Sequence, residues 1–228
     1  MWRDGASRPS QHNECRRVGA ELYIPEYNRI EGGPVALAFM RANPFAILVS
    51  STESGLFATH LPLLVQELDG SMVLRGHVAK ANPHWKYLES GEQPLIIFHG
   101  PHAYISPTLY ENRESVPTWN YAAVHAYGAA KPITAESDLE LLLQELISRF
   151  DQAYLEQWSS LSDEYRSRMI RHIVGFEIRV TRIEPKFKLS QNRTRADQES
   201  VIRALQDRPD SASTEVARLM REQGLGLK

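Results

Sequence analysis

Cysteine is almost missing from this 228-residue chain, and the lone Cys15 has no partner for an intramolecular disulfide. That excludes a disulfide-stapled miniprotein and a cysteine-built metal centre, and it points to a reducing, cytosolic setting. Long hydrophobic runs are missing too. No apolar stretch reaches the roughly 20 residues of a membrane span. The N-terminus has arginines but no continuous apolar signal segment, so a soluble, unsecreted protein is expected. Neither charge sign dominates: 26 Lys and Arg against 28 Asp and Glu leave a net charge of -2. Such a balance gives no global attraction to nucleic acid or anionic lipid, so DNA binding would need a local patch. GxSxG, the glycine-rich dinucleotide fingerprint, the P-loop and HExxH are all lacking, as is any internal repeat. His60, His77, His99, His102 and His125 fall in or beside expected strands without metal-site spacing, so no metal is expected.

What is present gathers around residues 71–85. Met72, Leu74, Gly76 and Val78 alternate with Val73, Arg75 and His77, as in a strand with two different faces. Asn82 and Pro83 then give a helix-start signature, with Lys80 at the corner. Free amides at a helix N-terminus next to a lysine make an anion seat. The plainer alternative is a strand, a turn and a surface helix with a solvated lysine.

Taken in order, residues 1–20 read as a disordered leader and 21–228 as a single domain. A short helix over Pro34 to Ala42 precedes a hairpin of Phe45–Val49 and Leu56–His60, then a second pair, Pro62–Leu68 and Met72–Ala79. A helix from Pro83 to about Ser90 leads to a strand over Pro94–Phe98 that His99-Gly100-Pro101 is expected to end. Thr118–Tyr127 alternates strictly. Trp119, Tyr121, Ala123, His125 and Tyr127 share one face; either the small opposite face lets another sheet or a flat ligand approach the backbone closely, or the aromatic face is itself core opposite a tightly packed sheet. Ser137–Tyr154 has helical apolar spacing through Leu139, Leu142, Leu143, Leu146 and Phe150. A shorter helix over Glu164–His172, a strand over Ile173–Ile183 and a polar, basic tail over Lys186–Asn192 follow. Two closing helices are expected, about 198–206 and 211–222, within a helical extension of about 197–222. The sum is α+β, mainly β: an antiparallel barrel or curved sheet with peripheral helices. Arg179 to Arg203 is locally basic and invites a helix-turn-helix reading, against which stand a solvated face or a dimer contact.

Seven pieces, in order, resemble the PaiB family of FMN-binding negative transcriptional regulators. They are Tyr23-Ile-Pro25, Asn43-Pro-Phe45, Ala58-Thr-His-Leu-Pro-Leu63, Gly76-His-Val-Ala-Lys-Ala-Asn-Pro-His-Trp85, Gly100-Pro-His-Ala-Tyr-Ile-Ser-Pro107, Val116-Pro-Thr-Trp-Asn-Tyr121 and Lys188-Leu-Ser-Gln-Asn192. The resemblance implies a split β-barrel of the FMN-binding, pyridoxamine-phosphate oxidase-like kind, usually a homodimer with ligand sites at the subunit interface. It implies FMN as cofactor, with the ring near Thr59, His60 and Leu61 and the phosphate near His77, Lys80 and Asn82. Trp119, Asn120, Lys188 and Gln191 are implied as further pocket residues, from the same or the partner subunit. Many relatives carry Arg where this chain has Lys80, and lysine lacks the bidentate fork. Three functions are left open: repression of transcription, with or without direct DNA contact; flavin-dependent oxidoreduction; and haem binding or breakdown on the same barrel.

Overall fold

The computed structural model describes residues 21–30, 33–91 and 93–226; the expected leader, 1–20, lies outside the described residues. After the first of two 3-10 turns, Glu26–Asn28 (the second, Pro107–Leu109, precedes the sixth strand), come α1 (Gly33–Ala42), β1 (Phe45–Thr52), β2 (Gly55–Pro62), β3 (Leu64–Leu68) and β4 (Ser71–Ala79). Then follow α2 (His84–Leu88), β5 (Leu95–Ile105), β6 (Thr118–Ile133), α3 (Glu136–Phe150), α4 (Tyr154–Ser160) and α5 (Asp163–Ile170). β7 (Ile173–Lys188), α6 (Arg195–Gln206) and α7 (Ser211–Glu222) complete the order.

The strands form one seven-stranded sheet ordered β2-β1-β5-β6-β7-β4-β3, every pairing antiparallel. β2 and β3 are its two edges, yet only Leu63 separates them in sequence. The sheet therefore has to curl until its edges meet, which makes it a barrel. At the closure Gly76 of β4 lies so near β2–β3 that a Cβ there would come within 2.7 Å of the Leu63 side chain. The interior is filled by Leu48, Leu63, Leu74, Ile96, Phe98, Val124, Phe176 and Ile178, all buried.

β6 has its small face, Asn120, Ala122, Val124 and Ala126, in the core, while Trp119, Tyr121, His125 and Tyr127 look outward. Bulky residues from neighbouring strands, Phe98 and Phe176 among them, already fill the barrel, which leaves room for small side chains on the strand opposite. The aromatic face is thus the outer one.

Several strands outrun their sequence expectation because a bulge passes what looked like a stop. β5 continues through His99-Gly100-Pro101 to Ile105 with a register shift between His99 and His102. β6 runs past Tyr127 to Ile133, and the first three residues of the expected basic tail, Lys186 to Lys188, are instead the end of β7; Phe187 there and Leu189 and Ser190 just after it are buried. The expected helix at Pro83–Ser90 is the single turn α2. The long helix expected to reach Tyr154 stops at Phe150 and restarts as α4. α3 buries Leu139, Leu142 and Leu146 against β3, β4 and β7, and each fully buried leucine contributes about 2 kcal/mol. α6 and α7 bury Val201, Ile202, Leu205, Val216, Ala217 and Met220 in the main core.

Candidate functional site

Thr59 pairs with the buried Leu48, so its side chain turns to the core side of β2, while His60 pairs with Ile47 and looks outward. The Thr59 hydroxyl meets two groups from the turn after β4: Asn82 Nδ2 donates to it at 3.1 Å, and His84 Nδ1 lies 2.8 Å away. His84 Nε2 is 3.0 Å from Ser50 Oγ of β1, and the Asn82 side-chain oxygen Oδ1 accepts the His84 backbone N–H at 3.0 Å. A consistent set has the Thr59 hydroxyl donating to Nδ1 and Nε2–H donating to Ser50. Every polar group of this buried knot is then paired, and the turn carrying Lys80 is pinned to two strands. The asparagine does bond the start of the helix as expected, but it holds the turn rather than leaving amides free.

Lys80 itself is exposed, and among the described residues no carboxylate lies within 4.0 Å of it. Its backbone N–H donates to the His172 carbonyl at 2.7 Å, and its carbonyl accepts from Trp85 Nε1 at 3.1 Å. The ammonium is therefore carried on a rigid corner while remaining available to an anion.

His84 is fully buried, and burial pushes its pKa from 6.5 down to about 4. The unfolded chain then binds the extra proton first as pH falls, so stability is full above about pH 6.5 and declines toward pH 4. A shift of that size corresponds to roughly 3 kcal/mol. Urea unfolding at pH 7 and pH 4.5 is expected to show this loss in the wild type and much less of it in His84→Gln. An equal loss in both proteins would remove His84 as its source.

The other expected residues fall into separate places. Leu61 is a buried core side chain. His77 pairs with Gly175 and lies on the α3 side of the sheet, its Nδ1 buried without a partner and its pKa lowered by burial. Asn120 is buried and exchanges hydrogen bonds with Ser190 at 3.0 and 3.1 Å. Gln191 locks its own turn through the Phe187 carbonyl and the Leu189 N–H. Trp119, about half exposed, packs on His102 and Tyr104 with ring centroids 5.9 Å apart in each case. Lys188 donates to Thr118 Oγ1 and the Trp119 carbonyl, and burial, then Lys186 and Arg193, lower its pKa. Within one chain Trp119 pairs at Tyr104, whereas the His60 row crosses β5 at Ile97. Seven residues of strand, about 20 Å, separate them. The structure thus joins Thr59 to Asn82, two residues after Lys80, turns His60 to the other face of β2, and sets Trp119 with Lys188 elsewhere. Ser50 and His84 were missed by sequence reasoning; His84 stood inside the quoted motif, but nothing local marks a histidine as buried.

On the outer face a cross-sheet row runs His60, Ile47, Ile97, His125, Glu184, with Val49, Leu95 and Tyr127 beside it. Ile47, Val49, Leu95 and Ile97 are only half buried. The arginines near the closing helices have internal partners instead: Arg195 pairs with Glu199, Arg218 with Glu215 and Glu222, and Arg193 lies 4.0 Å over the Tyr110 ring.

A family model described as "Putative FMN-binding domain" matches residues 22–182. Bacillus subtilis "Protease synthase and sporulation protein PAI 2" is 37% identical over 204 residues, covering 88% of this chain and 97% of that protein. An uncharacterized protein of Emericella nidulans is 30% identical over 227 residues, covering 81% of this chain and 90% of its own. Among solved structures, the flavocytochrome Anf3 of Azotobacter vinelandii superposes with a TM-score of 0.57 at 14% identity, covering 72% of each chain. The FAD and haem binding protein of Mycobacterium smegmatis gives 0.56 at 11% identity, covering 71% of this chain and 73% of its own. At such identities these two speak for the split-barrel fold alone.

Proposed function

Because the chain belongs to the PaiB/FMN-binding family, whose cofactor is FMN, we propose that it works as a cytosolic homodimeric flavoprotein that influences transcription without a DNA-reading helix of its own. The observation that carries the site is the exposed Lys80, without a carboxylate in reach among the described residues, on a corner braced by His84, Thr59 and Asn82. This donor set fits the group: a fixed cation suits the phosphate, and the half-buried aliphatic row beside His60 suits a flat ring. Bound there, FMN would supply one- and two-electron redox chemistry. The residues bind and orient it: Lys80 holds negative charge, and the His84 knot keeps the lysine corner from drifting.

The same aliphatic row supports self-association. Ile47, Val49, Leu95 and Ile97 form a contiguous apolar patch flanked by the exposed Phe45, and a second copy covering it would exclude water beside the flavin. A regulatory role is supported by the name of the Bacillus subtilis relative, which refers to protease synthesis and sporulation. Direct groove reading is not supported by the closing helices, since their apolar faces are buried and several of their arginines are paired. His60 and His125, at two positions of the apolar row, favour a second reading as a flavin-dependent oxidoreductase; steady oxidation of a nicotinamide cofactor would select it.

One experiment on the purified chain tests the main reading: FMN titration coupled to sedimentation. One FMN per chain on a dimer is expected, with Ile97→Asp giving a monomer that binds FMN weakly. A well-folded monomer in the wild type, or a dimer that takes up no FMN, would overturn it.

A further inference from the structure

Lys80 opens onto a pocket of about 330 Å³ between the end of β4, the start of α3 and the corner joining α5 to β7. Its floor is apolar, with Ile133, Leu139 and Ile173, and Trp85 forms a wall. Three charged side chains line it: Lys80, Arg171 and Glu136. The two cationic corners are tied directly, because the Lys80 N–H donates to the carbonyl of His172, the residue after Arg171, at 2.7 Å. Like Lys80, Arg171 is exposed and, among the described residues, has no carboxylate within 4.0 Å. Among the described residues Glu136 is the one carboxylate lining this pocket, so an anion entering it meets two positive side chains against one negative. The first residues of α3 enter the same pocket, and its N-cap position, Ala135, offers no side chain to the free amides there.

We propose that Arg171 is the second cation of the flavin-phosphate seat, closing on the phosphate from the α5–β7 corner while Lys80 holds it from β4. This rests on the FMN reading above and names the second half of its anion site. The planar fork of Arg171 supplies the bidentate contact that Lys80 lacks. Glu136 is the opposing element: its carboxylate faces the same space and weakens the seat.

FMN and riboflavin, which differ by the phosphate alone, are titrated against the full chain by flavin fluorescence. Arg171→Ala is expected to weaken FMN about tenfold or more and to leave riboflavin unchanged, in line with loss of a charge-assisted contact. Arg171→Lys is expected to fall between, and Glu136→Gln to tighten FMN. Wild-type affinity for FMN in Arg171→Ala, with Lys80→Ala weakened, would overturn the Arg171 assignment and leave the FMN reading standing. Equal weakening of FMN and riboflavin would also overturn it, by marking a structural effect. Failure of the wild type to bind either flavin would overturn both readings.

Discussion

Gly128→Ala is expected to cost about 3 kcal/mol and to lower the melting temperature by roughly 6 to 12 °C in a chain of this size. Gly128 lies on β6 at the point where the pairing with β7 slips. Tyr127 faces Arg182 and Gly128 faces Val180, so Thr181 is the extra residue of a bulge. A Cβ on Gly128 would lie 2.2 Å from the Arg179 carbonyl oxygen and 2.8 Å from its carbon. Both are backbone atoms within the longest strand pair of the barrel, so no side-chain rotation relieves the overlap. The strands have to separate, and the ladder bonds beside the bulge weaken with them. Gly33→Ala is the control. Among the described residues nothing lies within 4 Å of a Cβ at Gly33, and alanine there is expected to be neutral or slightly stabilising. Thermal melts of the two variants side by side check this; a Gly128→Ala melt matching wild type would mean that the bulge has slack.

Lys80→Ala is expected to weaken FMN by about ten- to a hundredfold, the worth of one charge-assisted contact to a phosphate. The fold should hardly notice. The lysine is held through its backbone, by His172 and Trp85, and its side chain is exposed, so the stability change should stay within about 0.5 kcal/mol. Lys80→Arg is expected to keep or raise affinity, because the guanidinium fork can grip two phosphate oxygens. Fluorescence titration with FMN and riboflavin reads the difference. Riboflavin affinity falling as far as FMN affinity would mean that the substitution disturbs the whole site, and unchanged FMN affinity would move the phosphate away from this corner.

Much of the strand content was legible because alternation in a barrel strand reports a one-sided environment: Met72 to Val78 and Thr118 to Tyr127 both fold as they read. What misled were the punctuation marks. His99-Gly100-Pro101 looks like a terminator, but pairing with β6 stops at His99 and resumes at His102, so it becomes a bulge, since unpaired backbone inside a sheet costs more than a local kink. Sequence also left two options for the β6 faces, because small and aromatic faces are equally good partners until the volume of the opposing strands is known.

By itself the sequence determined the mainly β class, the order of elements and the motif that places Lys80 beside an asparagine-started turn, all of which depend on neighbours a few residues apart. Only the tertiary structure decided that Asn120 and Gln191 hold the fold, that Trp119 lies about 20 Å along the sheet from His60, and that Lys80 and Arg171 line one pocket. The reason is physical: Lys80 and Arg171 stand ninety-one positions apart, and their corners are brought together by one backbone hydrogen bond, from the Lys80 N–H to the carbonyl of His172, the residue after Arg171, formed where β4 and β7 pair.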